Sequence, residues 1–292
     1  MRDSAALPDS AAVDAPGLER SCSGDSPDWV RQRATAPGVA LLQAWFQRRA
    51  YRRHRHDTYA IGVTDTGVQA FWYRGATHIS MPGEVVVLHP DELHDGYAGS
   101  EMGFGYRIVY LEPALVAAAS YDLSGRWGTL PFVGQPVLDD PGLVAAVRGA
   151  FRSGLEPLAA DDLILRITTS LLAADSSRHA ARPLRFVDVP AVLRVRAFLD
   201  AERSRLIRSE ELEAVSGLTR FDLARQFRAM FGTSPYRYSL LRRLDAARDQ
   251  LGGTQPLVDI ALSTGFADQA HFTRMFTAAF GISPGRYRAL GR

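Results

Sequence analysis

Lysine is absent from this sequence, and all 34 basic residues are arginine. Arginine makes forked, bidentate contacts with phosphates and guanine edges, which suits nucleic acid. A chain-wide preference can equally be a habit of the source genome, so the weight falls on where the arginines sit. Cysteine occurs once, as Cys22. That excludes intramolecular disulfides and multi-cysteine zinc sites, and it fits a reducing cytoplasm. No run of about 18 apolar residues occurs, so no membrane span is expected. The first 27 residues lack a basic start followed by an apolar core, so they are not read as a secretory signal. What remains is ordinary globular composition, 46% hydrophobic and 23% charged with a net charge of +2. At 292 residues the chain is long enough for two cores.

Four stretches follow one another. Residues 1–35, rich in Ala, Ser, Asp and Pro near their start, are expected to form a disordered tail. From Val39 to Leu111 short β-branched and aromatic runs (59–63, 68–73, 84–88) alternate with turn residues at 65–67, 74–75 and 81–83. That is the pattern of a small β-barrel or sandwich. Helical periodicity takes over from about Pro141, and residues 164, 167, 168 and 171 share one face. Residues 176–189 read as a linker, with Pro190 opening the next helix. The fold class expected is α+β in two domains. Its parts are a barrel over 36–125, a helical segment over 126–180, a linker over 181–189 and an all-helical domain over 190–292.

The helical domain repeats itself. Phe227, Phe231, Gly232, Ser234, Pro235 and Tyr238 recur as Phe276, Phe280, Gly281, Ser283, Pro284 and Tyr287, each 49 residues on. Such duplication means one supersecondary unit used twice. In the first unit Ser209 is expected to cap a short helix that ends at Gly217, and Thr219 caps a second helix with Asp222 three residues on. In the second unit Pro256 opens a helix, Gly265 turns it and Asp268 caps its successor. Leu223, Phe227 and Phe231, like Phe272, Phe276 and Phe280, recur every four residues and face inward. Arg220, Phe221, Ala224, Arg225 and Arg228 then project outward, as do Gln269, Ala270, Thr273 and Arg274. Residues 190–292 hold 16 arginines against 10 acidic residues. A helix, a glycine turn and a helix presenting Arg and Gln is the geometry that enters a major groove. The alternative is a helical bundle with a solvated arginine face. A helix of about 17 residues after Ser234, roughly 25 Å long, spaces the two heads near one DNA turn.

The residues Ile260-Ala261, Gly265-Phe266, Asp268-Gln269, His271-Phe272, Arg274 and Phe276, followed by Phe280-Gly281, Ser283-Pro284 and Tyr287-Arg288, resemble the DNA-binding domain of the AraC/XylS family of transcription regulators. The resemblance covers the last 100 or so residues. It implies double-stranded DNA and RNA polymerase as partners, activation as the outcome and a homodimer joined through the helical segment 126–180. That segment's apolar stripe can instead pack on its own barrel.

His54-x-His56 and the later His94 resemble motifs of the cupin-type effector-binding domain that such regulators carry. In cupin enzymes two histidines, a glutamate and a later histidine bind a metal. Here the glutamate is missing, and strand alternation is expected to turn Asp57 away from His56. No metal, cofactor or catalytic residue is therefore assigned. The expected pocket takes a small organic effector at His54, His56, Trp72, His94 and Tyr106. Each has a plainer alternative: a solvated edge for His54 and His56, core packing for Trp72, a turn hydrogen bond for His94. Tyr106 lies in a segment resembling one that contributes to the family's sugar pocket. The competing function is a metal-dependent cupin enzyme fused to a DNA-binding domain. A DNA-repair factor of the Ada type shares the helical fold, but one cysteine cannot supply its cysteine cluster.

Overall fold

The computed structural model describes residues 28–152, 155–177 and 187–290. Cys22 and most of the expected linker fall outside them. Nine strands lead the chain: β1 (Trp29–Ala36), β2 (Val39–Phe46), β3 (Arg49–His54), β4 (Tyr59–Gly67), β5 (Gln69–Tyr73), β6 (Ala76–Ser80), β7 (Val85–Leu88), β8 (His94–Ala98) and β9 (Phe104–Leu111). Helix α1 (Pro113–Ser124), a short β10 (Val137–Leu138), α2 (Pro141–Ala150) and α3 (Pro157–Ala173) follow. The strands form two antiparallel sheets, β1-β2-β9-β4-β7-β10 and β3-β8-β5-β6, and no closed ring. The first strand begins inside the stretch expected to be tail, because Trp29 to Ala36 pairs with β2 and Val30 is buried.

The larger sheet is covered on both faces, and its sequence says why. Val85, Val86, Val87 and Leu88 are all buried, as a strand with two apolar faces requires. Alternate residues divide between two cores. Val39, Leu41, Ile61, Val63, Val85, Val87 and Val109 pack on Leu143 and Val147 of α2 and Leu163, Ile167 and Leu171 of α3. Leu42, Ala44, Phe46, Val86 and Tyr106 face Phe71 and Tyr73 of the smaller sheet. Aromatic rings fill the space between the sheets: Phe46, Phe104 and Tyr106 lie 5.5–6.3 Å apart, centroid to centroid.

The second domain holds α4 (Val189–Ala201), α5 (Ser209–Ser216), α6 (Arg220–Phe231), α7 (Pro235–Gln250), α8 (Leu257–Ser263), α9 (Gln269–Phe280) and α10 (Pro284–Leu290). The duplication in sequence is a duplication in packing. Phe227 meets Phe231 at 4.7 Å and Tyr238 at 5.5 Å; Phe276 meets Phe280 at 4.5 Å and Tyr287 at 5.7 Å. Two small cores result, one around Val195, Leu223 and Phe227, the other around Leu244, Ile260, Phe272 and Phe276. Helix α7 joins them. Thr219 caps α6 by accepting from the Asp222 amide at 3.2 Å, and Asp268 caps α9 by accepting from the His271 amide at 2.6 Å. The cap of α5 falls one residue earlier than expected, at Arg208. Its amide donates to the Glu211 carboxylate at 2.8 Å, which draws Ser209 into the first turn.

Candidate nucleic-acid interface and interdomain cavity

Helices α6 and α9 are the second helices of two helix-turn-helix units, and each turns one face to solvent. On α6, Leu223, Phe227, Met230 and Phe231 are buried, while Arg220, Phe221, Arg225 and Arg228 are exposed and Ala224 is half-buried. Phe221 is 78% exposed, far beyond what packing explains for so apolar a ring. On α9, Phe272, Phe276 and Ala279 are buried, Gln269, Ala270 and Arg274 exposed, and Thr273 half-buried. All nine residues chosen from the sequence thus sit on the outward faces. Among the described residues Arg225 is held by Asp222, at 2.6 Å, with most of its side chain in water.

The five residues expected at the effector pocket do not share one cavity. Tyr106 is buried between the sheets, where its hydroxyl donates to Tyr51 at 3.1 Å. Trp72 lies on β5, its face covered by the Arg53 guanidinium at 4.1 Å. His54, His56 and His94 do come together, with ring centroids 4.3 Å (His54 to His94), 4.8 Å (His56 to His94) and 6.1 Å (His54 to His56) apart. Among the described residues no group of three or more His, Cys, Asp or Glu side chains is arranged to hold a metal ion.

His54 and His56 face a cavity of about 250 Å³ between the two domains. One wall is β2, β3, the end of β9 and the loop 55–58; the other is α7, the end of α9 and Tyr287 of α10. Leu42, Leu241 and Phe280 give it apolar surface, and Tyr51, Tyr110 and Tyr287 add phenol rings. Asp57 belongs to this wall. The expectation that it turns away from His56 does not hold, because the chain leaves strand geometry after His54 and alternation lapses.

A guanidinium closes the floor. Arg242 of α7 donates to Glu112 at 2.6 Å and to Asp57 at 3.0 Å, both in the first domain, and pairs with Asp245 at 3.0 Å on its own helix. Arg196 of α4 adds a 2.7 Å contact to Glu112. Burial works against the charge on Arg242, yet Asp57, Asp245 and Glu112 hold its pKa well above the ordinary value. Burial also pushes the Asp57 carboxyl up to about 6, with Arg242 opposing it. Burial, with the nearby His94, keeps His54 and His56 well below the usual imidazole range, and burial lowers His94 itself to about 4. Nothing local in the sequence marks Arg242 or Glu112 as partners.

A sheet-rich domain with a ligand-sized cavity, docked on a domain with two outward-facing helix-turn-helix helices, is the architecture of a DNA-binding regulator with a sensor domain. Residues 36–167 match the profile of the AraC-like ligand binding domain, and residues 212–290 match that of a helix-turn-helix domain. The HTH-type transcriptional regulator YbfI of Bacillus subtilis (strain 168) is 26% identical over 229 residues, covering 76% of this chain and 81% of that protein. The HTH-type transcriptional activator RhaS of Klebsiella pneumoniae (strain 342) is 25% identical over 250 residues, covering 80% and 86% respectively. Unsaturated fatty acid bound wild-type ToxT from Vibrio cholerae strain SCE256 has the same fold, with a TM-score of 0.61 at 13% identity over 88% of this chain and 97% of ToxT. The chain belongs to the AraC family of transcriptional regulators.

Proposed function

We propose that this regulator is an effector-responsive activator whose effector binds in the interdomain cavity. The observation that carries the reading is the shared wall: one cavity is lined by the sensor domain's His54, His56 and Asp57 and by Leu241 and Arg242 of the DNA-binding domain. A ligand there has a different free energy in docked and undocked arrangements, which is what any coupling between sites requires. The fatty acid held by ToxT supports a small, partly apolar effector for this fold. The activator named in RhaS supports activation, reached through contact with RNA polymerase.

On the DNA side, Arg220, Phe221, Ala224, Arg225 and Arg228 read one half-site, and Gln269, Ala270, Thr273 and Arg274 the next. Helix α3 supplies the homodimer contact; Leu158 is 83% exposed and Leu165 43% exposed on it. No helix among the described residues is long and apolar enough to cross a membrane. The protein acts in the cytoplasm as a regulator and not as an enzyme. Footprinting on the promoter of its own operon, with and without Arg225→Ala and Arg274→Ala, tests the DNA side. Protection of two half-sites by the parent chain, and of one by each variant, is the expected outcome. Unchanged protection by both variants rejects these residues as readers.

A further inference from the structure

Each of the three clustered histidines makes the same contact. The Nδ1 atoms of His54, His56 and His94 lie 2.8, 2.9 and 2.9 Å from the backbone carbonyls of Arg52, Thr58 and Glu92. A carbonyl only accepts, so each Nδ1 carries the proton, and each Nε2 is left as a bare acceptor. None of the three Nε2 atoms has a partner among the described residues. His54 and His56, 6% and 8% exposed, line the cavity, and His94 packs against both rings. A ligand that displaces water from such an acceptor without replacing its hydrogen bond loses affinity, so a molecule that enters is selected for the N–H or O–H it can offer.

The charges around the cavity point the same way. Asp57, Glu112, Asp245 and Asp249 face it, against Arg203, Arg242 and Arg248. Arg242 is committed to three carboxylates, and Arg248 pairs with Asp245 at 3.0 Å. The Arg242 Nε lacks a partner but is sealed from any water-sized probe. Arg203 stands at the exposed rim, where solvent screens it. An anion would have to displace a built-in carboxylate to reach a buried cation. A cation finds Asp57, Glu112 and Asp245 already paired and only the exposed, solvent-screened Asp249 at the rim, while it gives up its own hydration.

We infer that the cavity takes an uncharged molecule of the alcohol or phenol class, with an apolar body, whose hydroxyl donates its one hydrogen bond to the Nε2 atom of His54 or of His56. The apolar body lies on Leu42, Leu241 and Phe280, and the hydroxyl reaches the imidazoles. Burial keeps these imidazoles neutral acceptors across the physiological range. The inference rests on the reading of the cavity as the effector site, but its chemistry can be tested separately from that role.

The test titrates the full-length protein calorimetrically with 4-propylphenol, 4-propylanisole, 4-propylbenzoate and 4-propylbenzylamine. These are a neutral donor, a neutral non-donor, an anion and a cation on one apolar body. The phenol is expected to bind at least about tenfold more tightly than each of the others. With histidine labelled by nitrogen-15, the Nε2 signals of unmodified protein are expected to move on adding the phenol while Nδ1 stays protonated. Binding of the benzoate or the benzylamine as tight as that of the phenol overturns the inference. So does bound phenol that leaves the Nε2 signals in place, or the absence of binding by any of the four. Phenol binding that leaves promoter occupancy and transcription unchanged is a different failure: the ligand class then stands, and the effector role falls.

Discussion

Arg242 and Glu112 meet at 2.6 Å across the boundary between the two domains, 130 positions apart in the chain. With Asp57 and Asp245 they make a buried cluster of one cation and three carboxylates that fastens the DNA-binding domain to the sensor. Glu112 keeps Arg196 and Asp245 keeps Arg248 when Arg242 is removed, but Asp57 is left buried and unpaired, at a cost of about 3–5 kcal/mol.

Arg242→Ala is therefore expected to lower the melting temperature and to loosen the contact between the two domains. Glu112→Gln with Arg242→Met should cost less than the sum of the two single changes, because both remove the same 2.6 Å contact, while Asp57 is unpaired whenever Arg242 is lost. A double-mutant cycle on melting free energies measures the difference. A coupling near zero between positions 112 and 242 would mean that the cluster does not hold the domains together.

A second contact separates two glycines that the sequence leaves looking alike. Gly217 and Gly281 both end helices with φ near +74°. A Cβ on Gly217 meets nothing within 4 Å, so Gly217→Ala costs only left-handed strain, about 1 kcal/mol. A Cβ on Gly281 lands 2.8 Å from His54 Nδ1 and 2.9 Å from the Arg52 carbonyl oxygen, because Gly281 O accepts from the Arg52 amide at 3.2 Å. Gly281→Ala should cost visibly more than Gly217→Ala and should loosen the docked sensor domain. Equal losses of melting temperature for the two variants would contradict the close packing of β3 on the second unit.

The contrast marks what the sequence reveals. The helix-turn-helix units were legible because their information is local: phenylalanines every four residues, caps at Thr219 and Asp268, and a repeat at a fixed offset. Helices α6 and α9 and their outward residues follow from that period. The docking was not legible, since Asp57 and Arg242 lie 185 positions apart and no period relates them. Helix α1 escaped notice for a related reason. Its buried residues, Pro113, Ala114, Val116, Ala117 and Ala119, are mostly small and trace no strong stripe. Tyr106 is expected at the pocket from the resemblance of its segment, but that resemblance does not say whether the inner face of the sheet is cavity or filled core. Here aromatic rings fill it.

Acid should destabilise the fold. His89 accepts from the Val133 amide at 2.9 Å and sits 2.9 Å from the Tyr73 hydroxyl, and burial lowers it to about 3. His94 is lowered to about 4, and His54 and His56 fall well below 6.5. The unfolded chain takes up protons at these histidines near pH 6.5 while the native state refuses them, so stability drops as pH falls from about 6.5 toward 4. Asp57 acts in the opposite sense: raised to about 6 from 3.8, its carboxyl binds a proton in the native state first. Four groups against one leave a net loss. The melting temperature is expected to fall between pH 7 and pH 5, with a shallower slope in His89→Gln. A melting temperature that is flat or rising over that interval would show that the histidines are not held neutral.

The final expectation concerns spacing on DNA. Arg225 and Arg274 are equivalent at the 49-residue offset and stand exposed on α6 and α9. The Asp222 contact on Arg225 is a solvent-exposed pair, worth little, so the guanidinium is free to turn toward a base. Truncating either arginine to alanine should cost about 1–3 kcal/mol and relax selectivity at one base pair. Because the residues are equivalent in two units joined by the 16-residue α7, the two relaxed positions should lie about one helical turn apart, roughly 10 base pairs. Selection of binding sites from a random DNA library by the parent chain and by each variant reads both quantities at once. A uniform loss over all sequences would assign the arginines to phosphates. Relaxation of the same base pair by both variants would mean that the two units do not read successive half-sites of one duplex.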